Sequence, residues 1–355
     1  MNSILDEIAL KLATKVDAKI KNGEEIGLLE GIPFGIKDVF MLQGTCATAS
    51  SDLLKNYKSP YTATAIQKLL DAGAIPLVKE NCDSFGHGSS SENTIFGAVK
   101  NAIDPTLVAG GSSGGSAVNV AKDFTVFSIG GDTGGSIRQP AGYNNVFGFK
   151  PTYGRISRFG LMAYASSTDC VGPIAKSIED IRIVLNVMSG KDSKDQTTNQ
   201  SKSISQESIV NADDIKTVGY FKNFIENDAI DSEIKTAFLT SIAKIKAQGI
   251  QVKELDFFES ETLVSAYYTL AMAETASNLS RLDGTNYGHR IEGANLKESY
   301  SITRSENFSE ETKRRIVGGN QVLSQGFSDE IYLKGLNLRD PIAENFEKDF
   351  KEVDV

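Results

Sequence analysis

Between residues 110 and 140 the chain carries two glycine- and serine-rich clusters, Gly110-Gly111-Ser112-Ser113-Gly114-Gly115-Ser116 and Gly130-Gly131-Asp132-Thr133-Gly134-Gly135-Ser136. They bracket an apolar, β-prone segment at 124–129, and the layout reads as loop, helix, buried strand, loop. Glycines at this density let the backbone take φ > 0 and bring bare N–H groups against a ligand, as an anion or oxyanion site requires. Several serines then stand within reach of one point.

The remaining chain supplies the sheet and helices around those loops. Residues 1–21 alternate apolar and charged positions like an amphipathic helix. Residues 31–39, GIPFGIKDV, form a short apolar strand that carries a lone lysine, Lys37. Residues 62–72 read as a helix with Gly73 past its end and 74–78 as a buried strand, so this unit is strand-helix-strand, an α/β arrangement with parallel pairing. A polar loop is expected from Lys79, with His87 in its continuation, and a helix over 174–190. Residues 191–214 are polar and poor in apolar side chains, which predicts a linker or surface loop. Beyond it a strand at 218–220, a helix at 231–248 and a strand at 250–255 resume the βαβ pattern, and 259–325 is largely helical. The organisation expected is therefore 1–190, a linker at 191–214, and a second part of the same domain at 215–355.

Composition narrows the function. A net charge of −9 argues against the chain gripping nucleic acid through a broad basic face. Cys46, Cys82 and Cys170 are odd in number and lack metal-like spacing, which reads as reduced thiols in a reducing compartment. No run approaches the roughly 18 apolar residues of a membrane helix, and Asp6, Glu7 and Asp17 suit a transit peptide poorly. No membrane association is expected.

GGSSGGSA, then GGDTGGSIRQPA, with GIPFGIKD upstream, resembles the amidase signature family. The resemblance implies an α/β fold with a large mixed β-sheet covered on both faces by helices. It also implies a triad with Ser136 as nucleophile, Ser112 as bridging serine after a cis peptide bond, and Lys37 as base. The continuation at 148–160 and at 165–167 is most similar to the family's glutamine-hydrolysing members, the A-type subunits of glutamyl-tRNA(Gln) amidotransferases. The expected activity is hydrolysis of glutamine, with ammonia passed on to amidate Glu-tRNA(Gln).

For such members the resemblance implies a B-type subunit that binds tRNA and uses ATP and Mg, and a small C- or F-type subunit, while the A-type chain itself holds no cofactor or metal. Tyr267 and Arg315 match positions that hold glutamine's α-amino and α-carboxylate ends, and an Arg fork suits a carboxylate. The short start resembles mitochondrial versions of yeasts, hence an expected mitochondrial matrix location, with bacterial cytoplasm as alternative. The family pattern continues beyond Val355 with further strands and an acidic substrate residue.

The residue types fit amide hydrolysis. Lysine serves as a base near neutral pH when desolvation lowers its pKa, and an apolar strand beneath packed loops provides that. Lys37 would take a proton from Ser112, which takes one from Ser136, while backbone N–H groups of Thr133, Gly134, Gly135 and Ser136 close around the oxyanion. Other readings stay open. Gly111-Ser112-Ser113-Gly114-Gly115 also fits a G-x-S-x-G elbow with Ser113 as nucleophile and His289 as base; Asp132-Thr133-Gly134 resembles an aspartic protease motif. His87 is a base by residue type alone. The chain could also be a stand-alone amidase on another small amide, or a non-catalytic scaffold.

Overall fold

The structure, a computed structural model, describes residues 1–199 and 212–355. Of the linker expected at 191–214, residues 200–211 lie outside the described residues. The expectation is corrected at 192–198, which bond back to residues 157 and 158: Asp192 Oδ2 accepts from Ser157 Oγ at 2.6 Å and Asp195 Oδ2 accepts from Arg158 N–H at 2.8 Å, with Asp195 and Thr198 buried. The chain divides into two compact units: residues 1–207 with 274–318, and residues 208–273 with 319–355.

The first unit is built on a six-stranded mixed sheet. Its strands are β1 (Ser3–Ile4), β2 (Pro33–Lys37), β3 (Ile75–Glu80), β4 (Phe127–Asp132), β5 (Phe147–Gly148) and β6 (Cys170–Ala175), in the order β1-β3-β2-β4-β6-β5. β2 runs parallel to both β3 and β4, while β1, β5 and β6 pair antiparallel. The parallel pairs follow from helical crossovers: α2 (Thr64–Asp71) joins β2 to β3, and α3 (Gly114–Ala121) precedes β4. α1 (Asp6–Lys21), α4 (Arg138–Tyr143) and α5 (Ile178–Met188) are the further α-helices up to residue 188.

Alternation along β2 decides what the sheet buries and where. Phe34 and Ile36 are fully buried on one side, with Phe34 stacked on Phe127 of β4 at 5.2 Å between ring centroids. Each such side chain contributes roughly 1.5–3 kcal/mol through removal from water. Gly35 and Lys37 then face the other side, toward the two glycine-serine loops. α2 ends where Gly73 takes φ +83, a conformation glycine adopts without strain, and its N–H caps Leu70 O at 2.9 Å. α5 starts on Ser177, whose hydroxyl accepts from Asp180 N–H at 3.0 Å.

Two expectations are corrected. β3 does not stop before Lys79 but runs to Glu80, because both polar side chains find buried partners on neighbouring segments. The helix expected over 174–190 is preceded by a strand: Cys170–Ala175 is β6, buried along its whole length, and the helix occupies Ile178–Met188.

The second unit carries β7 (Thr217–Phe221) and β8 (Gln251–Leu255), paired in parallel through α6 (Lys222–Glu226) and α7 (Ser232–Ala247). A partly exposed aromatic cluster ties its elements together: the Phe221, Phe257 and Phe346 rings lie 4.4 to 5.7 Å apart, Phe346 coming from α12 (Arg339–Asp349). α8 (Ser260–Asn278) and α10 (Glu310–Leu323) each contribute residues to both units; α9 (Leu296–Asn307) belongs to the first and α11 (Leu333–Asn337) to the second. Among the described residues no helix is long and apolar enough to cross a membrane.

Candidate active site

Lys37 ends β2 with 1% of its surface exposed, and its Nζ lies 2.6 Å from Ser112 Oγ and 3.3 Å from Gly131 O. Among the described residues no carboxylate bonds the amine. Burial therefore pushes its pKa below the ordinary lysine range, while the more distant Cys82, Asp83, Asp132 and Asp169 pull the other way. Ser112 follows a cis Gly111–Ser112 peptide bond, and its carbonyl accepts from Asp83 N–H at 3.3 Å. The loop packs too closely for side chains: a Cβ on Gly111 would stand 2.1 Å from Asp83 Oδ2, and one on Gly115 would stand 2.3 Å from Asn81 O.

Ser136 sits half-buried between β4 and α4, and its carbonyl accepts from Ser113 N–H at 3.1 Å, which ties the two glycine-serine loops together. Among the described residues the Ser136 hydroxyl forms no hydrogen bond. Of the N–H groups expected to face an oxyanion, Gly135 gives its own to Asp132 Oδ1 at 2.7 Å, because the Asp132 carboxylate turns back under the loop. Gly135 is thus a brace of the turn. Thr133, Gly134 and Ser136 keep N–H groups without a partner among the described residues.

Three carboxylates that sequence reasoning did not single out for this role hold the loops in place. Asp132 accepts from Gly135 and Ile137 N–H and, on Oδ2 and Oδ1, from Arg138 Nε and Nη2 at 3.0 and 2.9 Å. Burial would raise its pKa, but Arg138 and the loop N–H groups hold it below the ordinary carboxylate range. Asp169 accepts from Thr133 Oγ1 at 2.6 Å and from the N–H groups of Tyr164 and Ala165; burial lifts its pKa to about 6. Asp83 accepts from Ser91 and Asn93 N–H, and burial likewise lifts it to about 6. An aspartate in a glycine loop was visible in the sequence; its donors, being local N–H groups and an i+6 arginine, were the available signal.

A narrow cleft of about 20 Å³ is lined by Lys37, Ser112, Asp132, Thr133, Tyr164 and Asp169. It shares Phe85, Leu161 and Met162 with a larger, more apolar cavity of about 280 Å³. Arg315, 5% exposed, reaches this region through Tyr164: its guanidinium donates to Tyr164 Oη at 2.6 Å, Glu311 Oε1 at 2.8 Å and Gly88 O at 2.9 Å. Tyr267 belongs to the other unit, on α8, where its ring meets Tyr268 edge-on.

The alternative bases are placed elsewhere. His87 is fully buried, with Nδ1 3.1 Å from Thr312 Oγ1 and Tyr164 edge-on to its ring, and burial drops its pKa to about 3, so the imidazole is neutral and structural. Ser113 donates its hydroxyl to Gly131 O at 3.2 Å and is fully buried, while His289 is exposed and lines a separate pocket with Leu53 and Tyr57. The elbow reading therefore lacks its serine-histidine pair. Among the described residues no second aspartate loop accompanies Asp132, whose carboxylate is already held by Arg138.

Arranged this way, the site can shuttle a proton from a serine to a desolvated amine beside unpartnered N–H groups, which is the equipment for acyl transfer. The family model for amidases matches residues 1–355. The A-type subunit of the glutamyl-tRNA(Gln) amidotransferase of Ruthia magnifica subsp. Calyptogena magnifica is 44% identical over 99% of this chain and 74% of its own length. That of Carboxydothermus hydrogenoformans is 43% identical over 99% and 73%. Among solved structures, an amidase superposes with a TM-score of 0.81 at 30% identity, covering 99% of this chain and 71% of the other. The A-type subunit of the Thermotoga maritima glutamyl-tRNA(Gln) amidotransferase superposes at 0.76 with 32% identity, covering 98% and 75%. On the match along its whole length and on these relatives, the chain belongs to the amidase signature family.

Proposed function

We propose that the chain is the glutamine-hydrolysing subunit of a glutamyl-tRNA(Gln) amidotransferase and that it supplies ammonia for conversion of Glu-tRNA(Gln) to Gln-tRNA(Gln). The observation that carries the chemistry is the 2.6 Å contact between the buried Lys37 amine and Ser112. Neutral Lys37 takes the Ser112 proton as Ser112 takes that of Ser136; the Ser136 oxygen adds to the amide carbon, and the oxyanion faces the N–H groups of Thr133, Gly134 and Ser136. Collapse of this adduct returns the relay proton to the leaving nitrogen, releasing ammonia and an acyl-Ser136 ester. Water then adds to the ester carbon as its proton passes to the Ser112–Lys37 relay; the bond to Ser136 Oγ breaks, the relay returns the proton to Ser136, and glutamate leaves. Each well-placed oxyanion donor contributes about 3–4 kcal/mol in comparable sites.

The substrate assignment rests on what the relatives are called. Tyr267 and Arg315 remain proposed contacts for glutamine, Arg315 acting through or beside Tyr164. A B-type subunit that binds tRNA and uses ATP and Mg, and a small C- or F-type subunit, are proposed partners; the net charge of −9 supports tRNA being held by a partner and not by this chain. The mitochondrial matrix remains the proposed compartment, with bacterial cytoplasm the alternative that the bacterial origin of the relatives favours; fractionation of the native cell decides.

The test is ammonia release from glutamine, asparagine and simple amides, with and without a B-type partner, together with transfer of amide label from glutamine into Gln-tRNA in the presence of excess unlabelled ammonium. Turnover that rises with the partner, and label that resists dilution, supports the amidotransferase reading. Equal turnover without the partner and full dilution replaces it with a stand-alone amidase.

A further inference from the structure

Glu80, the last residue of β3, is completely buried, and the relay described above makes no use of it. Its Oε1 accepts from Asn119 Nδ2 of α3 at 2.9 Å and from Ser128 Oγ of β4 at 2.6 Å. Its Oε2 has no donor, and Ser116 Oγ on α3 likewise has no partner; both atoms are buried. Space for the carboxyl comes from Gly35 on β2, where a Cβ would stand 1.8 Å from Glu80 Oε1 and 2.6 Å from Ser128 Oγ.

Among the described residues no cation is bonded to this group. Across β2, the Lys37 amine is bonded to Ser112 and Gly131 O; on the opposite face of the sheet, Lys79 is bonded to Asp38 and Phe40 O. α3 and β4 present Ser116, Asn119 and Ser128, with Thr125 3.1 Å behind Ser128, and the amino terminus acts on it through space. A carboxylate stripped of water with one oxygen undonated carries a steep desolvation penalty, whereas the neutral acid has an O–H to give and Ser116 is at hand to accept it. Burial accordingly raises its pKa above the ordinary carboxylate range, against the pull of its polar neighbours, of which Ser128 and Asn119 donate to it.

The cluster lies directly under the reacting groups in the chain. α3 begins at Gly114, two residues after Ser112, and β4 leads through Gly131, whose carbonyl meets Lys37, into the Ser136 loop. One carboxyl oxygen thus holds together the helix behind the bridging serine and the strand in front of the nucleophile. We propose that Glu80, held as an uncharged acid in the space left by Gly35, is a positioning residue that sets the Lys37–Ser112–Ser136 relay by clamping α3 to β4. This rests on the amide-hydrolysis reading above.

Two readouts on the full chain test it. Thermal midpoints of the wild type and Glu80→Gln, compared from about pH 5 to about pH 8, need no turnover. The wild type must keep in the fold a proton that the unfolded chain releases above the ordinary carboxylate pKa, so the midpoint of Glu80→Gln rises relative to wild type as pH increases. A difference that does not change with pH overturns the uncharged state. In ammonia release from glutamine, Glu80→Ala lowers kcat about tenfold or more with KM within about twofold, and Glu80→Gln recovers most of kcat. Wild-type kcat in Glu80→Ala, or equal loss in both variants, overturns the positioning role. Should Glu80→Ala not fold, Ser128→Ala removes one strut and lowers kcat several-fold at unchanged KM; unchanged kcat there is equally contrary. A wild type that releases no ammonia sinks the hydrolysis reading and the positioning role with it, while the midpoint series still decides the charge of Glu80.

Discussion

Two lysines end up inside this sheet on neighbouring strands, and they are buried to the same degree with opposite consequences. Lys79 of β3 is salt-bridged to Asp38 Oδ1 at 3.0 Å and donates to Phe40 O at 2.6 Å. Lys37 of β2 meets a serine hydroxyl and a carbonyl, and no carboxylate among the described residues. The first has a carboxylate buried beside it, and the pair ties β3 to the segment that follows β2. The second has no such partner, so desolvation favours the neutral amine and makes it a base. What separates structure from chemistry here is the partner, since burial is shared.

The comparison breaks most sharply in rate. Lys37→Ala is expected to lower kcat/KM for amide hydrolysis by about 10²–10⁴-fold while the fold persists. Lys37→Arg should fail as fully, because a guanidinium stays protonated and cannot accept the relay proton; turnover retained in Lys37→Arg would reduce Lys37 to a positive charge. In contrast, Lys79→Met leaves Asp38 buried and unpaired and should cost about 3–5 kcal/mol of stability, measured by denaturant unfolding, with part of the loss restored by adding Asp38→Asn.

A smaller effect has the opposite sign. Replacing Lys37 with Met removes an amine whose charging the fold resists, so Lys37→Met should gain stability. Because the folded-state pKa of Lys37 is lowered, the gain is fully present below that pKa and disappears as pH rises through the ordinary lysine value of 10.5. Unfolding curves at neutral and at strongly alkaline pH check this; a gain that does not shrink with pH would mean that packing, and not charge, is responsible. By the same protonation argument, kcat/KM should increase with pH as Lys37 becomes neutral.

The smallest effect concerns His87, which burial holds near pKa 3. His87→Gln should leave the pH dependence of kcat/KM unchanged and lower stability by about 1–2 kcal/mol through lost contacts with Thr312 and Tyr164. A shifted pH profile in that variant would return the histidine to the mechanism.

These contrasts also show what the sequence could disclose. Glycine spacing marked both loops, and a lysine on an apolar strand marked Lys37, since each signal is local. β6 was hidden because Cys170–Ala175 is buried throughout and shows no alternation. Lys79 and Glu80 looked like the start of a loop because polar side chains usually end a buried strand; their partners, Asp38, Asn119 and Ser128, come from segments far along the chain. Gly135 looked like an oxyanion donor until the Asp132 carboxylate was seen to take its N–H. The loops' existence was therefore legible, and the bracing by Asp83, Asp132 and Asp169 was a tertiary fact.

The central claim is that Ser136 is acylated by way of Lys37 and Ser112. Its most direct test is rapid quenching of the protein during turnover of glutamine, followed by peptide mass mapping. The account predicts an acyl adduct on Ser136 that is absent in Ser136→Ala and does not build up in Lys37→Ala. An adduct on Ser113, or full turnover by Ser136→Ala, would contradict it.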